Sequence, residues 1–249
     1  MKRKTRLLLT VTFILVIICG TTLYVSCTPN TAEGFVRRGD TYRDKGELDM
    51  AIADYTEAIR LDSNYSEAYY GRAHAYSSKG NKENALNDFT TMIRLDPNNA
   101  NAYYFRAIIY GEKGDLDKSI ADYEAYLKIR PEDKSVEEKL KEAKNAKKSA
   151  EFQQAVAEYT EAIRLNPNNA DAYFKRGYQY YMKIPEKVPD NTNSQELIDL
   201  RKAIVSIFIA PDLDQAIADF EAAVRINRNH ADARKYLENA RQLRDYWGY

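Results

Sequence analysis

The chain has 249 residues, 44% hydrophobic and 30% charged, with 37 basic residues balancing 37 acidic ones. Four of the bases, Lys2, Arg3, Lys4 and Arg6, sit at the extreme N-terminus, which leaves 33 bases against 37 acids elsewhere, a net charge of −4. A mildly acidic body argues against nucleic acid as the main partner.

Met1 to Arg6 is basic, Leu7 to Ile18 is apolar, and no further charge occurs before Glu33. A basic start followed by such a run reads as an export signal, so residues 1–26 are a targeting segment and not part of the fold. Leu23-Tyr24-Val25-Ser26-Cys27 resembles the lipobox of bacterial lipoproteins, whose cysteine is lipidated and becomes the new N-terminus. Tyr24 departs from the pattern, which usually has an aliphatic residue there. The resemblance implies a lipid on Cys27, a short linker over 27–31, and an array tethered to a membrane of the bacterial cell envelope, outside the cytoplasm. Two other readings stay open. The uncharged run can span a bilayer core of about 30 Å as an uncleaved anchor, or Cys27 is inert behind an ordinary signal. If cleavage precedes Cys27, the body keeps no other cysteine and forms no internal disulfide.

From Ala32 onward one pattern dominates. Ala51-Ile52-Ala53-Asp54-Tyr55 recurs as Ala85-Leu86-Asn87-Asp88-Phe89, Ser119-Ile120-Ala121-Asp122-Tyr123, Ala155-Val156-Ala157-Glu158-Tyr159 and Ala216-Ile217-Ala218-Asp219-Phe220. The first three copies lie 34 residues apart, and the fourth and fifth follow after 36 and 61. A fixed period in this range marks an array of helical repeats. In the first unit Phe35, Gly39 and Tyr42 share a helical face, Lys45-Gly46 ends that helix, and Asp62-Ser63-Asn64 closes the second. Tyr69, Ala73, Tyr76, Gly80, Ala85, Phe89 and Pro97 repeat the scheme, as do Tyr103, Ala107, Tyr110, Gly114, Ser119, Tyr123 and Pro131.

This order of aromatic, small, aromatic, glycine, alanine, aromatic and proline resembles the tetratricopeptide repeat. The resemblance implies an all-α solenoid of about five helix-turn-helix units with a concave inner face. Residues 32–133 hold three regular units. Residues 134–169 form a degenerate fourth unit, with Lys139 where the leading aromatic belongs and alternating Lys and Glu on its first helix. The fifth unit, 170–229, starts with Tyr173, Gly177 and Tyr180 but carries an insertion over 184–210. Ser194 caps an extra helix there, Gln195 to Ile209. Its stripe of Leu197, Leu200, Ile204, Ile207 and Phe208, with Ile198, Val205 and Ile209 beside it, either packs on the array or docks a partner. Residues 230–249 supply a C-terminal capping helix and tail.

Chemistry is sparse. His74 and His230 are the only histidines, no cysteine pair or glycine-rich phosphate loop occurs, and no catalytic or metal-binding residue is assigned. Carboxylates that recur once per unit (Asp54, Asp88, Asp122, Glu158 and Asp219) read as architecture. No cofactor, nucleic acid or small-molecule substrate is expected, and the chain does not read as an enzyme.

What remains points to protein partners. In the family the peptide groove is lined by first-helix residues just after the leading aromatic and one or two turns on. Those places hold Tyr70, His74, Tyr104, Ile108, Phe174, Tyr178 and Tyr181, besides Val36, Asp40, Ser77 and Gly111. Such a groove suits an extended or helical peptide. It lacks the Lys and Asn set that family clamps use for an acidic C-terminal carboxylate. The expectation is a membrane-anchored adaptor that captures a partner, in envelope assembly or in docking cell-wall enzymes. The alternative is a single-pass membrane protein serving as a structural subunit of a larger complex.

Overall fold

The structure, a computed structural model, describes residues 30–184 and 205–247 and, within these, not the side chains of residues 206 and 208. Among the described residues the regular elements are all helical. In chain order they are α1 (Ala32–Asp44), α2 (Leu48–Leu61), α3 (Ser66–Ser78), α4 (Lys82–Leu95), α5 (Ala100–Glu112), α6 (Leu116–Ile129), α7 (Lys134–Leu165), α8 (Ala170–Met182), α9 (Ala210–Ile226) and α10 (Ala231–Trp247). The chain divides into two compact units, one ending at Asn145 and the other starting at Ala146.

In the first unit α1 pairs with α2, α3 with α4 and α5 with α6, and each pair also packs on the next. Each pair turns on a glycine with positive φ: Gly46 at 79°, Gly80 at 78° and Gly114 at 79°. A side chain is disfavoured in that left-handed conformation, which glycine adopts at little cost. Asparagine and aspartate set the other helix ends. Asn81, Asn99 and Asp115 cap α4, α5 and α6 through their side chains. Asp62 and Asp96 each accept a hydrogen bond from the backbone N–H two residues on, which bends the chain into the following helix.

A buried ion pair recurs with the same period. Arg38, Arg72 and Arg106, on the first helix of each pair, grip Asp54, Asp88 and Asp122 on the second through two hydrogen bonds each, at 2.6–2.9 Å. The aspartates are buried, so the planar guanidinium fork is what makes their charge tolerable in place. Burial still pushes the Asp88 carboxyl above its ordinary range, against the pull of Arg72. Repeat tyrosines flank the arginines: Arg72 lies 5.6 Å from the Tyr69 ring centroid and 6.0 Å from Tyr76, and Arg106 lies 5.7 and 5.9 Å from Tyr103 and Tyr110. Arg72 and Arg106 also reach back to the preceding pair, donating to the Thr56 and Thr90 hydroxyls at 3.1 Å. The repeated carboxylates are therefore structural, and each of these two arginines joins three helices.

The fourth repeat departs from the rest. It forms one unbroken helix, α7, where its neighbours form two. In register with Gly46, Gly80 and Gly114 stands Ala150, the strongest helix former at a place that needs the weakest. The ion pair is missing too, because Glu142 and Glu158 occupy the Arg and Asp positions. Glu124, where Thr56 and Thr90 stand in earlier repeats, instead binds Lys144 at 2.7 Å. Val136, Leu140 and Ala143 carry the start of α7 into the core of the first unit, against Ala107, Tyr123 and Tyr126.

The second unit holds residues 146–165 of α7 together with α8, α9 and α10. Arg176 repeats the grip, on Asp219 at 2.7–2.8 Å and on Thr160 at 3.1 Å, although 43 residues now separate it from the aspartate. Val205–Ile209 is a π-helical turn leading directly into α9. Its Val205 and Ile209 are buried with Leu213, Phe220, Leu237 and Trp247. The described end of the insertion thus packs on its own unit, with Ile207 exposed. Leu197, Leu200 and Ile204, and the side chain of Phe208, lie outside the described residues, as do Cys27 and the whole targeting segment. Among the described residues no helix is long and apolar enough to cross a membrane.

Candidate functional site

In the first unit, α3 and α5 bring the expected positions together. Tyr70 and His74 are one turn apart on α3, with ring centroids 4.4 Å apart. Phe105 of α5 lies 5.7 Å from Tyr70 and 4.4 Å from His74, and Tyr104 stands 5.2 Å from Phe105. Phe89 of α4 closes the cluster from within, 5.7 Å from His74 and 5.8 Å from Phe105. These rings are half-buried apart from Phe89, which is buried. Edge-to-face contacts of this kind fix ring orientation beyond simple apolar burial.

His74 is wedged among rings, and its buried Nε2 has no hydrogen-bond partner among the described residues. Burial lowers its pKa, helped by the charge of Arg43, so at neutral pH the imidazole is uncharged. Its ring is one wall of the aromatic cluster. Ile108 packs against the core cluster of Ala107, Tyr123 and Tyr126. On α1 the corresponding places are closed: Val36 is buried, and Asp40 accepts a 2.8 Å hydrogen bond from the Tyr55 hydroxyl.

Two adjoining hollows open beside Tyr70. One, of about 360 Å³, is lined by Tyr70 with Ser66, Glu67, Met92, Asp96, Asn99 and Asn101. The other, of about 250 Å³, is lined by Tyr70 and Asn101 again, with Tyr104, Phe105, Tyr126, Asp133 and the start of α7. Tyr126 donates to Asp133 at 2.6 Å, and that bond above all holds the Asp133 carboxyl below its ordinary range. Phe105, Tyr126 and Asp133 were not among the expected contact residues. Phe105 carried a readable signal, since it is a large aromatic where the preceding repeat has Gly71.

The last-repeat positions show a comparable aromatic arrangement, and all three stay half-buried. Phe174, Tyr178 and Tyr181 of α8 pack against Tyr236 of α10, with ring centroids 6.0, 5.1 and 5.4 Å from it. Phe174 also meets Phe220 at 5.9 Å. Tyr236 follows Phe220 by 16 residues as Phe105 follows Phe89, so α10 supplies here the ring that α5 supplies beside Tyr70 and His74.

Two family models match the sequence: one described as TPR repeat, at residues 39–80 and 150–183, and one described as Tetratricopeptide repeat, at residues 70–134. The chain matches no curated protein. Among solved structures it is similar to YrrB, a TPR protein with an unusual peptide-binding site, at 16% identity, with 87% of this chain and 97% of that one covered and a TM-score of 0.46. It is similar to the MamA protein at 20% identity, covering 80% of this chain and 93% of the other, with a TM-score of 0.46. The second TPR domain of human RPAP3, in complex with an HSP70 peptide, is 29% identical over 43% of this chain and 90% of that one, with a TM-score of 0.41.

Proposed function

Because this chain belongs to the tetratricopeptide repeat family, we propose that it is a non-catalytic adaptor that holds a protein or peptide partner on the α3–α5 face of its first unit. The observation that carries this reading is the pair of hollows around Tyr70. The Arg–Asp framework accounts for the repeated tyrosines at 69, 76, 103 and 110, but Tyr70 and Tyr104 stand outside it and line open cavities. Half-exposed aromatics around a concave surface are what peptide recognition uses. A lipid on Cys27 would tether the adaptor to an envelope membrane, a proposal supported by the basic start, the apolar run and the Leu-Tyr-Val-Ser-Cys sequence. One acyl chain holds only marginally, so a stable tether calls for more than one on that cysteine.

A photo-crosslinking residue placed at position 104 of the full chain tests the adaptor role in cells. A partner adduct is expected in the membrane fraction, and Tyr70→Ala should remove it while circular dichroism stays unchanged. An adduct indifferent to Tyr70→Ala would overturn the assignment of the face. For the tether, Cys27→Ser should abolish incorporation of labelled palmitate. Undiminished labelling would refute it.

A further inference from the structure

The charged residues that line the two hollows are of one sign. Glu67 and Asp96 line the first and Asp133 lines the second. No lysine or arginine is among their described lining residues. Arg130, whose guanidinium lies 6.0 Å from the Tyr126 ring centroid, lines neither hollow, although its charge reaches the Asp133 carboxylate from outside. Across the first hollow the Ser66 hydroxyl has no hydrogen-bond partner among the described residues. Asn101, exposed on the wall shared by both, makes no side-chain hydrogen bond among the described residues, so its amide can meet a passing backbone. Aromatic rings backed by carboxylates suit a cation, through ring quadrupoles and charge together.

We propose that this face takes an extended basic segment of a partner protein, with one lysine or arginine side chain entering each hollow, on either side of Tyr70. The inference rests on the adaptor reading above and names the partner class for that face. Asn101 lies where the backbone of such a segment would cross from one hollow to the next, and alternate side chains of an extended peptide point the same way. Both cavities are large against the roughly 30 Å³ that one water occupies in the liquid. An acidic segment, by contrast, would meet three carboxylates with no cation among the lining residues to offset them.

The test uses an array of randomised decapeptides of graded net charge, probed with the purified full-length chain in detergent. Binding should rise with lysine and arginine content and weaken as salt is added. Glu67→Gln with Asp96→Asn, two exposed positions whose loss leaves the core intact, should reduce binding of the basic peptides about three- to tenfold while sparing neutral ones. Tyr70→Ala should lower binding of all peptides. A flat response to charge, or a preference for acidic peptides, would overturn the inference, and if Tyr70→Ala still removed that binding the adaptor face itself would stand. If no peptide bound and the crosslinked adduct also ignored Tyr70→Ala, both readings would fall together.

Discussion

Replacing Gly71 by alanine would normally help a helix, since glycine in a helix interior is about 1 kcal/mol less favourable than alanine. Here the opposite is expected. A Cβ at position 71 would stand 2.4 Å from Tyr55 Cε1 and 2.5 Å from Cζ, about 1.0 Å inside ordinary van der Waals contact at 3.4 Å. The same ring also packs on Gly39, where an added Cβ would stand only 2.8 Å from Cε1. Its hydroxyl is pinned on Asp40 at 2.8 Å, and the side chain is fully buried. Forcing extra volume into such a core costs typically about 1–3 kcal/mol, and a contact this short belongs at the upper end. After the propensity gain, the net loss is about 2 kcal/mol. Urea unfolding followed by far-ultraviolet circular dichroism should show a lower midpoint for Gly71→Ala. Combining it with Tyr55→Leu should lose less than the two changes summed, since removing the ring removes the clash. An unchanged or raised midpoint for Gly71→Ala would refute the reasoning.

Asp122→Ala should destabilise the first unit by about 3 kcal/mol, because it strands a half-buried Arg106. Changing both, as Asp122→Leu with Arg106→Met, should cost less in the same urea assay. Burial pushes the Tyr123 hydroxyl up to about 12, with Tyr104 and Glu142 adding to the shift. A folded-state value raised above the unfolded one, about 10, gives stability that is complete below about pH 10 and lost as pH climbs towards 12. Tyr123→Phe should therefore show a smaller fall in urea midpoint than the parent between about pH 9 and 11.5. An equal fall would assign the alkaline loss to other groups.

The repeat register was legible because aromatic, small and glycine positions return on a fixed period, and the turn glycines at 46, 80 and 114 do what that pattern implies. The structural role of the aspartates was legible for the same reason, but their partners went unread. Arg38, Arg72 and Arg106 precede Asp54, Asp88 and Asp122 by a constant 16 residues, and a basic residue recurring with each aspartate was the signal that could have paired them. The unbroken α7 was also within reach. A repeat with Ala150 at the turn and Glu142 at the arginine position lacks both the residue that stops a first helix and the one that grips the second. The contact of Phe174, Tyr178 and Tyr181 with Tyr236 went unread, because Tyr236 sits in a helix whose sequence reads only as a polar cap. The hollows likewise join three separate stretches, Glu67, the turn from Asp96 to Asn101, and Asp133.

The arginine that bonds back to a threonine has a bearing on how the array can grow. Arg72 finds Thr56, and Arg106 finds Thr90, each across an interval of 16 residues. A segment such as 66–99 therefore carries the arginine that stitches it to the preceding helix pair and the threonine that receives the arginine of the next one. Duplicating it in tandem would create a new junction with both halves of the stitch already present and correctly spaced. In this part of the chain, length is a quantity that gene duplication can change without new contacts having to be invented. A copy of the α7 segment, with glutamate in the arginine position, offers no such ready-made joint.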